Sequence, residues 1–126
     1  MTGRIDLNAD LGEECGDDAA MLAVVTSASL AGGGRAGGGV VLARAIAAAS
    51  AAGVAIGAHP SYPDRAGFGR TSLASSHGPG GVRRIVVEQV ETVVAACSAA
   101  GVALTHVKAH GALYGDVAGA VDLAEE

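Results

Sequence analysis

The sequence predicts an α/β fold in which parallel strands are joined by helical crossovers. The segment Ser50-Ala51-Ala52-Gly53-Val54-Ala55-Ile56 returns almost unchanged as Ser98-Ala99-Ala100-Gly101-Val102-Ala103-Leu104. Each copy reads as a helix end, a glycine suited to the left-handed position after it, and a strand start. A histidine follows each copy, His59 and then His106, near the strand's carboxyl end, where α/β sheets and barrels bind ligands. The spacing of apolar residues also changes along the chain, from period two to steps of three or four.

Arg4 to Asp10 alternates apolar and polar residues and predicts a first strand. Ala23 to Leu30 predicts a second, ending in a glycine-rich loop from Gly32 to Gly39. Val40 to Ala52 contains no breaker and predicts a helix; Gly53 ends it, and Val54 to Ala58 predicts a third strand. His59 to Gly81 holds every proline and many Gly and Ser residues, the composition of a long functional loop. Val82, Val86, Val90, Val93 and Cys97 fall on one helical stripe, with Arg84 and Glu88 on the polar side. Leu104 to Val107 predicts a fourth strand, and Asp116 begins another helix. Residues 1–126 read as one domain.

The 126 residues are enough for a single core. Half of them are hydrophobic, yet only Tyr62, Phe68 and Tyr114 are aromatic; Ala dominates and Gly contributes 20. A core of such small side chains brings helices close to the sheet they cover. The net charge of −5 and the lack of a basic run argue against nucleic acid as a partner. No segment has the roughly 18 apolar residues of a membrane span. Two cysteines, Cys15 and Cys97, are too few for a disulfide scaffold, so the chain reads as cytoplasmic. Cys97 falls at a core position.

Side chains two apart on a strand share a face. Asp6, Asn8 and Asp10 therefore lie together, as do Ser27 and Ser29, and His106, Lys108 and His110. A parallel strand covered on both faces is almost continuously apolar, so ionisable groups on one face point to the mouth of a barrel-like sheet. Lys108 between two histidines needs a partner or a shifted pKa. Asp10 is suited to orient a base, act as one, or hold a metal. Asp10, His59 and His110 offer oxygen and nitrogen ligands for a divalent cation, although no local HExxH spacing accompanies them. His77, in a Ser-Gly-Pro setting, reads as a structural hydrogen-bonder. Gly32 to Gly37 formally matches G-x-G-x-x-G, but the acidic residue expected at the end of the next strand is missing, so nucleotide binding by this loop is not the favoured reading.

DLNADLGE (Asp6–Glu13), VTSASLA (Val25–Ala31), GVAIGAHPSYPD (Gly53–Asp64), GFGR (Gly67–Arg70) and HVKAHGALY (His106–Tyr114) together resemble the LamB/YcsF family, the A component of bacterial 5-oxoprolinase. The resemblance implies a (β/α) barrel-like fold related to carbohydrate deacetylases, here a partial barrel of about four strands. It implies ATP-dependent opening of 5-oxoproline (pyroglutamate) to L-glutamate, with ATP as co-substrate and 5-oxoprolinase subunits B and C as partners. It marks Asp10, Glu13, His59, Lys108 and His110 as catalytic positions, and Asn8, His106 and Tyr114 as substrate-binding ones.

The departures are local. Where the family usually carries Cys-Gly-aromatic-His-Ala-Gly-Asp-Pro, this chain has Gly32 to Gly39, with Arg35 for the histidine and Gly38 for the acid. Ala109 replaces a usual proline, and Glu14 and Cys15 replace a small residue and an aromatic. The family is about twice this length, so the chain reads as a half barrel with unpaired edges, and self-association is expected. Arg35 is expected on a flexible loop, and little or no turnover is expected of the chain. Two other classes remain: a metal-dependent deacetylase-like hydrolase, and a non-catalytic remnant.

Overall fold

The structure, a computed structural model, describes residues 2–120. Four parallel strands, β1 (Asn8–Leu11), β2 (Ser27–Leu30), β3 (Ala55–Ala58) and β4 (Leu104–Val107), pair in chain order. Between and after them run α1 (Asp18–Leu22), α2 (Gly39–Ala51), α3 (Ala74–Ala99) and α4 (Gly111–Gly119). Sequential order means that the winding never reverses, as in a barrel, and crossovers of one hand put their helices on one face. The core bears this out. Ala9, Leu11, Ala28, Leu30, Ile56 and Ala58 of the strands pack with Leu22, Leu42, Ile46, Ala49, Val93 and Cys97 of α1, α2 and α3.

The opposite face carries Asn8, Asp10, Ser27, Ser29, Gly57 and His106. Strict alternation would put Leu104 and His106 on one side. A bulge prevents this: Ile56 pairs with Leu104 and Gly57 with His106, leaving Thr105 as the extra residue. Leu104 thus packs against the helices, while His106 turns to the polar face. Thr105 Oγ1 steadies the bulge by donating to the Ile56 carbonyl at 3.0 Å.

The repeated segments end their helices as expected. Gly53 and Gly101 adopt φ of 70° and 73°. Val54 N then donates to Ala49 O at 2.9 Å, and Val102 N to Cys97 O at 3.0 Å, closing each helix with a six-residue bond.

The boundaries differ from expectation at four places. The first strand begins at Asn8, not Arg4, and among the described residues no helix covers Ile5 (88 % exposed) or Leu7 (53 %). The second begins at Ser27, because Asp17 caps α1 through its carboxylate (Ala20 N, 3.0 Å) and the chain turns at Ala23. The third helix starts inside the expected loop, at Ala74. It kinks at Gly78 (φ 67°), with Pro79 opening the longer segment, a position where the missing N–H costs nothing. The last begins at Gly111, five residues before Asp116, because Ala112 N finds Gly69 O at 3.1 Å and Asp116 itself anchors the helix by accepting from Tyr62 and Ser72 (2.5 Å each).

Gly57 sits under the imidazole of His106, and a Cβ there would overlap the ring at Nε2. Gly57→Ala is therefore expected to displace the His106 ring and to destabilise the fold by about 1–3 kcal/mol, read from urea midpoints and His106 ring NMR signals. Unchanged ring signals would contradict this packing.

Candidate active site

The backbone continues strand-like pairing past the ends of β3 and β4. His59 N donates to Leu30 O, Lys108 N to Ala58 O and His110 N to Pro60 O, each at 2.9 Å. This extension carries His59, Lys108 and His110 to the carboxyl end of the sheet beside Asp10, as their spacing predicted. Lys108 Nζ lies 2.5 Å from Asp10 Oδ1 and 3.1 Å from Asn8 Oδ1. His59 Nε2 lies 3.3 Å from Asp10 Oδ2, and the His59 and His110 rings meet edge to face at 5.1 Å.

Proton positions follow from the partners. His59 Nδ1 contacts the Lys108 carbonyl, which only accepts, so Nδ1 carries the hydrogen. In the neutral ring Nε2 is then the free base, aimed at Asp10. His110 Nε2 likewise donates to Phe68 O at 2.9 Å, leaving its Nδ1 unprotonated when neutral. Burial holds the His110 pKa below the ordinary value, opposed in part by that bond. When His59 Nε2 carries a proton it bonds to Asp10, and that contact, aided by Lys108, holds the Asp10 carboxyl well below the usual carboxylate range, against the effect of burial.

Below the pair, a polar ladder crosses the sheet. Asn8 donates to Ser27 Oγ (2.8 Å) and accepts from Ser29 Oγ (3.1 Å). His106 Nε2 lies 3.1 Å from Ser29 Oγ and 3.4 Å from Asn8 Nδ2, so His106 reaches Lys108 only through Asn8. Asp6 closes the ladder by accepting from Ser27 (2.9 Å) and Thr26 (2.5 Å).

Arg35 corrects an expectation. It is 2 % exposed rather than held out on a flexible loop. Its Nη2 pairs with Glu13, its Nη1 donates to the His59 carbonyl at 3.2 Å, and its backbone N donates to Ser61 Oγ at 2.9 Å. The glycines around it serve close approach: a Cβ on Gly34 would lie 2.6 Å from Gln89 Oε1, and one on Gly37 2.5 Å from Gly12 O. Gln89 was not among the predicted site residues, yet it clamps Ser61 by accepting from its N (3.0 Å) and donating to its O (2.7 Å). A glutamine at an inward helix position, between Val86 and Val93, was the available signal. Phe68, at φ 54°, offers its carbonyl to His110 and its ring to Arg35, whose Cζ lies 5.2 Å from the centroid.

Tyr114 does not join the cluster. Leu113 is the inward residue on that turn of α4, and Tyr114 is left 58 % exposed. His77 is exposed and bonds to Leu73 O at 3.0 Å, the structural role expected of it.

The LamB/YcsF family model matches residues 5–126. The chain belongs to the LamB/YcsF family. The A component of 5-oxoprolinase from Methylococcus capsulatus is 46 % identical over 99 % of this chain and 49 % of its own length. Its counterpart from Neisseria meningitidis serogroup C is 42 % identical over 91 % of this chain and 46 % of its own. The crystal structure of the lactam utilization protein from Thermus thermophilus superposes with a TM-score of 0.92 at 39 % identity, over 97 % of this chain and 51 % of that one. This LamB/YcsF chain thus spans about half the length of the curated relatives it matches, and its four parallel strands correspond to a partial barrel.

Asp10, Glu13, His59 and His110 each offer a ligand atom, all within 4.8 Å of one another, and so form a group that could hold a metal ion. Both carboxylates, however, already hold a cation, Lys108 and Arg35 respectively.

Because the Asp10 pKa is lower in the folded chain than in the unfolded one, its stabilisation is present above about pH 4 and fades as pH falls toward the folded value. Asp10→Asn is expected to flatten the loss of stability between about pH 5 and pH 3, followed by urea denaturation. An acid limb as steep as that of the parent chain would contradict the pairing.

Proposed function

We propose that this chain provides the hydrolytic site for opening 5-oxoproline to L-glutamate, with ATP as co-substrate and 5-oxoprolinase subunits B and C as partners in the cytoplasm. The observation that carries the reading is the His59–Asp10–Lys108 arrangement at the carboxyl ends of β1, β3 and β4, in a LamB/YcsF chain whose relatives are named as the A component of 5-oxoprolinase.

A lactam carbonyl is a poor electrophile and water a poor nucleophile, so ring opening needs a base, oxyanion donors and a proton for the leaving nitrogen. Asp10, paired and strongly acidic, is a weak base. His59 Nε2 suits that role better: it takes a proton from water, and Asp10 stabilises the imidazolium. The resulting hydroxide adds to the lactam carbon. Lys108 faces the negative charge that gathers on the oxygens of that carbon, and the His59 proton passes to the nitrogen as the C–N bond breaks. Before this, ATP phosphorylates the lactam oxygen elsewhere in the complex and leaves as ADP; once the C–N bond has broken the phosphate remains on an acyl phosphate, which a second water hydrolyses to L-glutamate and inorganic phosphate. Asn8 and His106 line the floor of the polar face and contact substrate, and Glu13 holds Arg35 in place.

The metal-dependent reading is favoured by the four clustered donors and opposed by the two cations that occupy their carboxylates.

The test is glutamate release from 5-oxoproline with ATP and subunits B and C. Release is expected more slowly than from a full-length relative, falling by about 10²–10⁴ on His59→Ala. No release above the blank, or release indifferent to His59→Ala, would contradict the proposal.

A further inference from the structure

The charge balance of the site points to an unusual cation. A divalent ion bound by Asp10, Glu13, His59 and His110 would need free carboxylate oxygens and a surplus of negative charge. The two carboxylates are instead matched by Arg35 and Lys108, so their sum is neutral before either histidine takes a proton. The two cations differ in kind. Lys108 is 39 % exposed at its side chain and can swing away, whereas the Arg35 side chain is 1 % exposed and fixed on several sides. Its Nη2 holds Glu13, its Nη1 holds the His59 backbone, and the Phe68 ring lies beneath its Cζ. Its Nε is buried with no hydrogen-bond partner among the described residues, as is His59 Nε2, 3.3 Å from Asp10.

We propose that the Arg35 guanidinium is the resident cation of this site, a covalently attached charge standing against the ligands that would otherwise hold a divalent ion, and that the site therefore takes no metal. A guanidinium cannot dissociate as an ion does. Although burial lowers its pKa to about 10, it stays protonated through the neutral range. It pairs with Glu13, and by holding the His59 carbonyl it helps fix the ring whose Nε2 faces Asp10. This charge balance does not depend on whether a lactam is the substrate.

The experiment is calorimetric titration of chelator-treated chain with Mn²⁺, Co²⁺ and Zn²⁺. The parent chain is expected to give no saturable binding tighter than about 1 mM, and no change in melting temperature with added ion. Arg35→Met keeps the apolar stem and removes the charge. It is expected to gain one site per chain, at least about tenfold tighter, and to lose it again when His110→Ala is added. Lys108→Met, which leaves the guanidinium in place, is expected to gain none. Stoichiometric binding by the parent chain, weakened by Asp10→Asn, would overturn the proposal whether or not the Arg35 variant folds. So would an Arg35→Met chain with native circular dichroism and no gain in affinity.

Discussion

The contact between His59 Nδ1 and the Lys108 carbonyl is the one on which the site depends. It fixes the hydrogen on Nδ1, turns Nε2 toward Asp10, and joins the chain just beyond β3 to the chain just beyond β4. Asp10 then joins β1 to both, through His59 on one oxygen and Lys108 on the other. Each residue is held by backbone as well as by side chain, because His59 N, Lys108 N and His110 N extend the parallel pairing beyond the strands. Pro60 contributes by restricting His59 to an extended conformation. Rigid elements therefore set the geometry, and the loops contribute carbonyls and close packing.

A parallel sheet wound without reversal has two unlike faces, which explains why ionisable groups are tolerated on one of them. The helices bury Ala9, Ala28, Leu30, Ile56 and Ala58 and leave the other face to Asn8, Ser27, Ser29 and His106. These polar groups satisfy one another across the strands, which limits the cost of gathering them. Among the described residues, the same winding leaves β1 and β4 each paired on one side only, and the matched relatives are about twice as long.

Much of this was legible in the residues. Apolar runs and their glycine breakers, with periodicity in β1 and α3, located the four strands and the two long helices, and parity along β1 and beyond β4 grouped Asn8 with Asp10 and Lys108 with His110. What was not legible has physical causes. The Thr105 bulge depends on a bond to the neighbouring strand. The start of α1 was hidden because five helical residues, closed by the Asp17 cap, make too short a pattern to count. The placement of Arg35 reversed expectation most clearly. A run of glycines suggested disorder, yet the glycines permit dense packing around a guanidinium whose partners, Glu13 and the His59 carbonyl, are distant in sequence. Tyr114 lies apart from the cluster for a simpler reason, since its motif becomes a helix whose inward residue is Leu113.

The protonation pattern of His59 is central to all of this. Long-range ¹H–¹⁵N NMR of the ring nitrogens, followed through the imidazole titration, measures it directly. The Nδ1–H tautomer is predicted for the neutral ring, and on protonation an Nε2–H signal that shifts when Asp10 is replaced by Asn. A neutral ring with its hydrogen on Nε2, or an Nε2–H signal indifferent to Asp10, would contradict it.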